Sequence, residues 1–274
     1  MKSKLIFFDI DGTLIDGRGL LLSSTKKALQ KLKENGNQIF LATGRCKAEM
    51  PRHVLEIGFH GMVLGSGSYV EYEGEVLYHD IMDHHKVSEL GEALAKQGHV
   101  MYSARTACYL SQETKDYFFE LVKQDKQAAE FLEEFKAITR VFEAFPELEN
   151  KEIEKINFHG YLGDINQLKE RFSDYFHILP SSLLIHSNYS SGEITKSGIN
   201  KASGIQHILN HLNEKKELVI AFGDGPNDVE MIQFAEVGVV MGNGLDMLKQ
   251  HANLIAPRIE DEGVYKTLKE LELI

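Results

Sequence analysis

The segment Leu5-Ile6-Phe7-Phe8-Asp9-Ile10-Asp11-Gly12-Thr13 changes character within one residue. Four consecutive apolar side chains without alternation read as a strand buried on both faces, as in a parallel sheet covered by helices on each side. Two carboxylates follow at once. In extended chain, residues two apart point the same way, so Asp9 and Asp11 both project from the C-terminal end of that strand. Ligands of parallel α/β sheets bind at that edge. Gly12, Thr13 and Leu14 then allow the backbone to leave the strand sharply.

The same rhythm continues outward. Ser24 to Asn35 (STKKALQKLKEN) carries Ala28, Leu29 and Leu32 at helical spacing and stops at Gly36. Apolar runs at Ile39 to Ala42 and Met62 to Leu64 predict the next two strands. In the last third, Lys201 to Leu212 reads as an amphipathic helix, Leu218 to Phe222 as a buried strand, Asp228 to Ala235 as a short helix and Val237 to Met241 as another strand. Alternation of this kind predicts an α/β fold with a Rossmann-like parallel sheet. The middle differs. Residues 69 to 79 (YVEYEGEVLYH) alternate around Glu73-Gly74, a hairpin pattern. Val100 to Leu110 and Ile153 to Leu162 also alternate, among helical stretches at Asp116 to Lys123, Ala128 to Ile138 and Ile165 to Tyr175. The expected organisation is a discontinuous core, 1–81 and 186–274, with an α+β domain inserted at 82–185.

Composition narrows the function. The 274 residues carry 30 Lys plus Arg against 41 Asp plus Glu, a net charge of -11 with no basic run. That excludes unspecific polyanion binding, which starts from cationic contacts to phosphate. Cys46 and Cys108 are far apart and form no CxxC, which argues for a reducing compartment and against a thiolate zinc site. With no long apolar segment, the expectation is a cytoplasmic protein without a membrane span.

Three further segments carry polar chemistry at predicted strand ends. After Leu41-Ala42 come Thr43, Gly44 and Arg45; the Thr hydroxyl and the Gly N–H suit phosphate oxygens. Gly223-Asp224-Gly225-Pro226-Asn227-Asp228 repeats the buried strand and acidic turn, and Pro226 should stiffen that turn. Carboxylates of Asp9, Asp11, Asp224 and Asp228 converging on one site repel one another unless a cation sits among them, and oxygen donors suit Mg²⁺. A cationic side chain for the phosphate is supplied by Lys201, which opens a helical pattern, or by Lys196, which lies in a polar turn; the helix start favours Lys201.

In order, DIDGT (9–13), TGR (43–45), Lys201 and GDGPND (223–228) resemble the four motifs of the haloacid dehalogenase (HAD) superfamily. The insertion resembles the cap of its Cof-type sugar-phosphate phosphatases, as does the tail from Val239 through Met241-Gly242-Asn243 to Glu260-Asp261-Glu262-Gly263-Val264. This resemblance implies an HAD-like core with a cap that selects substrates, acting on a small phosphate ester. It implies Asp9 as nucleophile and Asp11 as acid and base. Mg²⁺ would sit on the Asp9 carboxylate, the Asp11 carbonyl and Asp224. Thr43, Lys201, Asn227 and amides near Ile10 and Gly44 would take the phosphoryl oxygens, with Asp228 and Arg45 in support. A mutase or phosphotransferase of the same superfamily stays open, as do a non-catalytic regulator of another class that binds phosphorylated metabolites and a monomer or homodimer. His207 and His211 read as a polar surface pair, His84 and His85 as a solvated linker, and Arg105 and Ser187 as cap residues that nothing separates from the surface.

Overall fold

A computed structural model describes residues 3–123, 129–180 and 190–274. The chain divides into two units: Met1–Gly44, Met50–His79 and Asn200–Ile274 form the first, and Arg45–Glu49 with Asp80–Ile199 the second.

The first unit starts with strand β1 (Leu5–Phe8), helix α1 (Ser23–Glu34), β2 (Gln38–Ala42), the short α2 (Arg52–Leu55) and β3 (Gly61–Leu64). The hairpin β4 (Tyr69–Tyr72) and β5 (Glu75–His79) follows. It turns at Glu73 and Gly74, which have φ of 47° and 83°. Two consecutive positive φ values match the twist that joins paired strands.

The second unit holds α3 (His84–Ala95), β6 (His99–Ala104), β7 (Cys108–Leu110), α4 (Gln112–Lys123), α5 (Ala129–Ile138), β8 (Thr139–Val141), β9 (Ile153–Tyr161), α6 (Ile165–Phe172), β10 (Phe176–Pro180) and β11 (Ser190–Lys196). Its six-stranded sheet runs β10-β11-β9-β6-β7-β8 and is mostly antiparallel. Ile156, Phe158, Val100, Tyr102 and Ile194 join Leu90 and Leu94 of α3 and Leu168 and Phe172 of α6 in one apolar cluster. Ser190–Lys196, which lies on the core side of the expected boundary at 186, pairs with β9 and β10 in this unit. His84 and His85 are not a linker. They open α3, because the Asp83 side chain caps it by accepting from the Lys86 amide at 3.0 Å. Arg105 is half-buried and pairs with the exposed Glu152 at 3.5 Å; Ser187 lies outside the described residues.

The chain returns to the first unit through α7 (Lys201–Leu212), β12 (Val219–Gly223), α8 (Val229–Phe234), β13 (Val237–Val240), α9 (Asp246–Lys249), β14 (Leu254–Ile255) and α10 (Gly263–Glu270). The eight-stranded sheet has the order β14-β13-β12-β1-β2-β3-β4-β5, parallel from β14 to β3. β1 lies inside it, which explains its unbroken apolar run. Ile6 and Phe8 face a cluster with Ala28, Leu29 and Leu32 of α1 and Val264 and Leu268 of α10. Leu5 and Phe7 face Ile205, Ile208 and Leu209 of α7 and Met231 and Ile232 of α8. Each Leu, Ile, Val, Phe or Met in these clusters contributes about 1.5–3 kcal/mol by leaving water. The pair His207 and His211 lies against aromatic rings of the hairpin: His207 stacks on Tyr78 with centroids 4.0 Å apart, and His211 tilts against Tyr72 at 5.4 Å.

Candidate active site

β1 and β12 are parallel neighbours, with Phe8 beside Phe222. Their acidic turns therefore emerge side by side. Asp9 continues the pairing, its N–H donating to Phe222 O at 2.9 Å, and its side chain is buried. The chain then curls: the N–H groups of Leu14 and Ile15 both donate to Ile10 O, at 2.9 and 3.0 Å. Gly12 has φ +80°, and a Cβ there would lie 2.2 Å from Asp224 Oδ2. Only glycine permits both that conformation and that approach. Asp11, at the mouth of this turn, is exposed.

Lys201 is fully buried. Its Nζ donates to Asp9 Oδ1 at 2.7 Å and to Asp228 Oδ1 at 2.6 Å. It occupies the first position of α7, which Asn200 caps by accepting from the Ser203 amide. Asp228 also receives the Asp224 and Gly225 amides on Oδ2, both at 2.9 Å. One carboxylate thus closes the 224–228 turn and holds the ammonium. Pro226 starts the single helical turn Pro226–Asp228, where its missing N–H costs nothing. Asn227 is half-buried in the same turn. Thr43 is buried, with its N–H on Val63 O and its carbonyl accepting from Ser66, both at 2.9 Å. Gly44 is the last residue of this segment of the first unit; Arg45 belongs to the second unit and donates to Glu49 O at 2.8 Å. Lys196, the alternative cation, pairs instead with Asp80 at 2.9 Å in the second unit.

The electrostatics follow from crowding. Burial pushes the Asp9 carboxyl well above its ordinary range; Lys201 opposes this, and Asp228, Asp224 and Asp11 add to it. Asp224 is pushed up to about 7, first by burial and then by Asp228, against the pull of Lys201 and the Thr13 hydroxyl. Burial alone would lower Lys201, but Asp228 and Asp9 outweigh it and raise it. Asp9, Asp224 and Asp228 each offer a carboxylate oxygen within 4.8 Å of the others. One ammonium among three carboxylates leaves excess negative charge on hard oxygen donors. That donor set fits a divalent cation such as Mg²⁺. Of the three, Asp228 has both oxygens engaged by Lys201 and by amides, so Asp9 and Asp224 are the better placed donors.

The sequence profile of the haloacid dehalogenase-like hydrolases matches residues 6–268. The chain belongs to that family. Among its relatives, 5-amino-6-(5-phospho-D-ribitylamino)uracil phosphatase YitU of Bacillus subtilis is 28% identical over 278 residues, covering 98% of this chain and 97% of that one. The HMP-PP phosphatase of Yersinia enterocolitica is 27% identical over 266 residues, covering 95% and 92%. A solved structure of the HAD subclass IIB sugar phosphatase BT4131 superposes with a TM-score of 0.80 at 26% identity, covering 99% of this chain and all of that one. The fold is accordingly the Rossmann-like core of HAD hydrolases with an inserted cap.

Two side chains that support this HAD site escaped the sequence reading of roles. Thr13 Oγ1 donates to Asp224 Oδ1 at 3.2 Å. Asn243 donates to Gly12 O at 2.8 Å while accepting from Ile259 N at 3.0 Å, so it ties the acidic turn to the tail. Both stand in quoted motifs, DIDGT and MGN, and that is the one local signal they carry.

Proposed function

We propose that this HAD hydrolase is a Mg²⁺-dependent, cytoplasmic phosphatase of small phosphorylated metabolites, working through an aspartyl-phosphate on Asp9. The observation that carries this reading is the buried Asp9–Lys201–Asp228 chain beside Asp224. Burial alone would favour the neutral acid, and the Lys201 ammonium bonded to Asp9 opposes it by favouring the carboxylate, the form that attacks phosphorus, next to the charge that the transferring phosphoryl group needs. Asp9 attacks phosphorus as the ester P–O bond breaks, and Asp11 gives its proton to the leaving alkoxide. Asp11, now a carboxylate and open to solvent, takes a proton from water, which attacks the acyl phosphate, freeing inorganic phosphate and Asp9. Lys201, Thr43, Asn227 and the amides near Ile10 and Gly44 bind the phosphoryl oxygens; Asp228 keeps Lys201 in place, and Arg45 supports the loop after Gly44. Asp9, the Asp11 carbonyl and Asp224 would hold Mg²⁺, which when bound supplies charge neutralisation at the phosphoryl group. Together these effects must supply on the order of 20 kcal/mol.

The segment outside the core motifs, centred on 82–185, is assigned the role of a cap that selects among substrates. The small-metabolite class is supported by what the relatives' names say of those proteins, a phosphorylated ribitylaminouracil and sugar phosphates. The deciding experiment is phosphate release from p-nitrophenyl phosphate and a panel of sugar and cofactor phosphates, with Mg²⁺ or EDTA, for the wild type and Asp9→Asn. Release that needs both Mg²⁺ and Asp9 supports the reading. A rearranged sugar phosphate instead of free phosphate would replace it with a mutase, and no turnover of any compound would overturn it.

A further inference from the structure

Between β3 and β4 the chain makes a tight turn, Gly65-Ser66-Gly67, that no motif accounts for. All of it is buried. Ser66 sits at φ 55° and ψ 27°, a left-handed conformation that a non-glycine residue adopts only when its surroundings impose it. Its N–H donates to Thr43 O at 2.9 Å. On the other side of the turn, Gly67 has φ +111°, and a Cβ on it would lie 2.2 Å from Asn200 O and 2.8 Å from Asn200 C. Asn200 is the cap of α7, and its carbonyl also accepts from Gly204 N at 3.2 Å and from Ser203 Oγ at 2.8 Å. Gly204, one turn into the helix, completes the seat: a Cβ there would lie 2.3 Å from Val63 Cγ1 and 3.3 Å from Gly67 Cα.

We infer that Gly65-Ser66-Gly67 is a positioning element, a backbone seat that fixes the start of α7, and with it Lys201, while its Ser66 amide fixes Thr43. Two phosphate-binding groups from distant parts of the chain are thereby held by one three-residue turn. Lys201 reaches Asp9 and Asp228 at 2.7 and 2.6 Å only if the helix start sits at this depth. Backbone contact without side chains at Gly67 and Gly204 is what allows that depth. The inference rests on the phosphatase reading for its kinetic consequence, and on geometry alone for the placement of Lys201.

The test therefore has two arms, applied to Gly67→Ala and, independently, to Gly204→Ala with and without Val63→Ala. In the first arm, acetylation of Lys201 is followed by peptide mass spectrometry on folded protein, checked by circular dichroism. Wild-type Lys201 is protected; either single glycine variant should expose it, with labelling about ten-fold faster, and Val63→Ala should restore protection to Gly204→Ala by removing the obstructing methyls. In the second arm, kcat on p-nitrophenyl phosphate should fall about 100-fold, as expected for displacement of a catalytic group by an ångström. Inhibition by orthovanadate should weaken by about ten-fold or more, because that ion mimics the transition state. Loss of folded protein alone would lower apparent kcat without moving the vanadate constant, and that result overturns the inference, as does unchanged labelling. If Gly67→Ala does not fold, the Gly204 set decides. If the wild type releases no phosphate, the functional reading fails while the labelling arm still decides the placement.

Discussion

Each unit of the molecule buries a lysine between two carboxylates, and the two do it differently. In the first unit Lys201 is wholly inaccessible and makes hydrogen bonds of 2.6 and 2.7 Å to Asp228 and Asp9. In the second, Lys155 of β9 is also buried, but its Nζ stands 3.9 Å from both Glu49 and Glu193, whose side chains keep 13% and 18% exposure. That separation is an ion pair and not a hydrogen bond. Burial would lower the Lys155 ammonium, and Glu49 and Glu193 raise it instead, as Asp228 and Asp9 do for Lys201. Similar charge balance thus arises from carboxylates bonded at 2.6 and 2.7 Å in one unit and from carboxylates standing 3.9 Å away in the other. A site that must hold one geometry needs the former.

Replacing the two lysines in turn should expose the difference. Lys201→Met leaves Asp9 and Asp228 buried without their cation, so it should destabilise the protein by about 3–5 kcal/mol and remove measurable phosphatase turnover, checked by urea unfolding and phosphate release.

The second effect is the dependence of stability on pH. The folded-state pKa values of Asp9 and Asp224 lie above those of the unfolded chain, so between the two the folded protein holds protons that the unfolded chain has released. The stabilisation is fully present below about pH 4 and is lost as pH rises towards the Asp224 value, at up to about 1.4 kcal/mol per pH unit for each group. In EDTA the melting temperature should fall between about pH 5 and pH 7. Added Mg²⁺ should recover more of it at the upper end, where the carboxylates are ionised. A flat profile in EDTA would mean that the acidic cluster is not as closely packed as described.

A smaller loss is expected for Lys155→Met. Glu49 and Glu193 retain water contact, so the cost should be about 1–2 kcal/mol by the same unfolding assay. A cost equal to that of Lys201→Met would erase the distinction between the two lysines. The smallest effect is Tyr102→Phe in the second unit. Among the described residues the Tyr102 hydroxyl is buried with no hydrogen-bond partner. Removing it should be neutral or stabilising by up to about 1 kcal/mol, read as a rise in melting temperature.

How much could be read in advance varied with the kind of signal. β1, β2 and β12 announce themselves as apolar runs ending in Asp9, Thr43 and Asp224, because a strand buried on both faces leaves no polar positions until it reaches the sheet edge. Lys201 was legible through the helix that starts on it. The strands β8 and β10 of the second unit were not, being short segments beside stronger helical patterns. The start of α3 at His84 depended on the Asp83 cap, a single-residue signal outweighed by the polar character around it. The turn at residues 65–67 reads as an ordinary loop: its role depends on Asn200, more than 130 positions away, and no local periodicity records such an approach.

By itself, the sequence determined the class of fold, the family, and which acidic, hydroxyl and cationic residues stand at the strand ends. Those follow from local alternation and from chain direction, since a parallel strand always delivers its C-terminal residues to the same edge. The tertiary structure alone decided which of those groups touch: that Lys201 joins Asp9 to Asp228, that Thr13 and Asn243 brace the acidic turns, and that Gly67 lies against Asn200. Contacts of that kind are set by packing between elements distant in the chain, where a few tenths of an ångström of backbone approach separate a bonded cation from a displaced one.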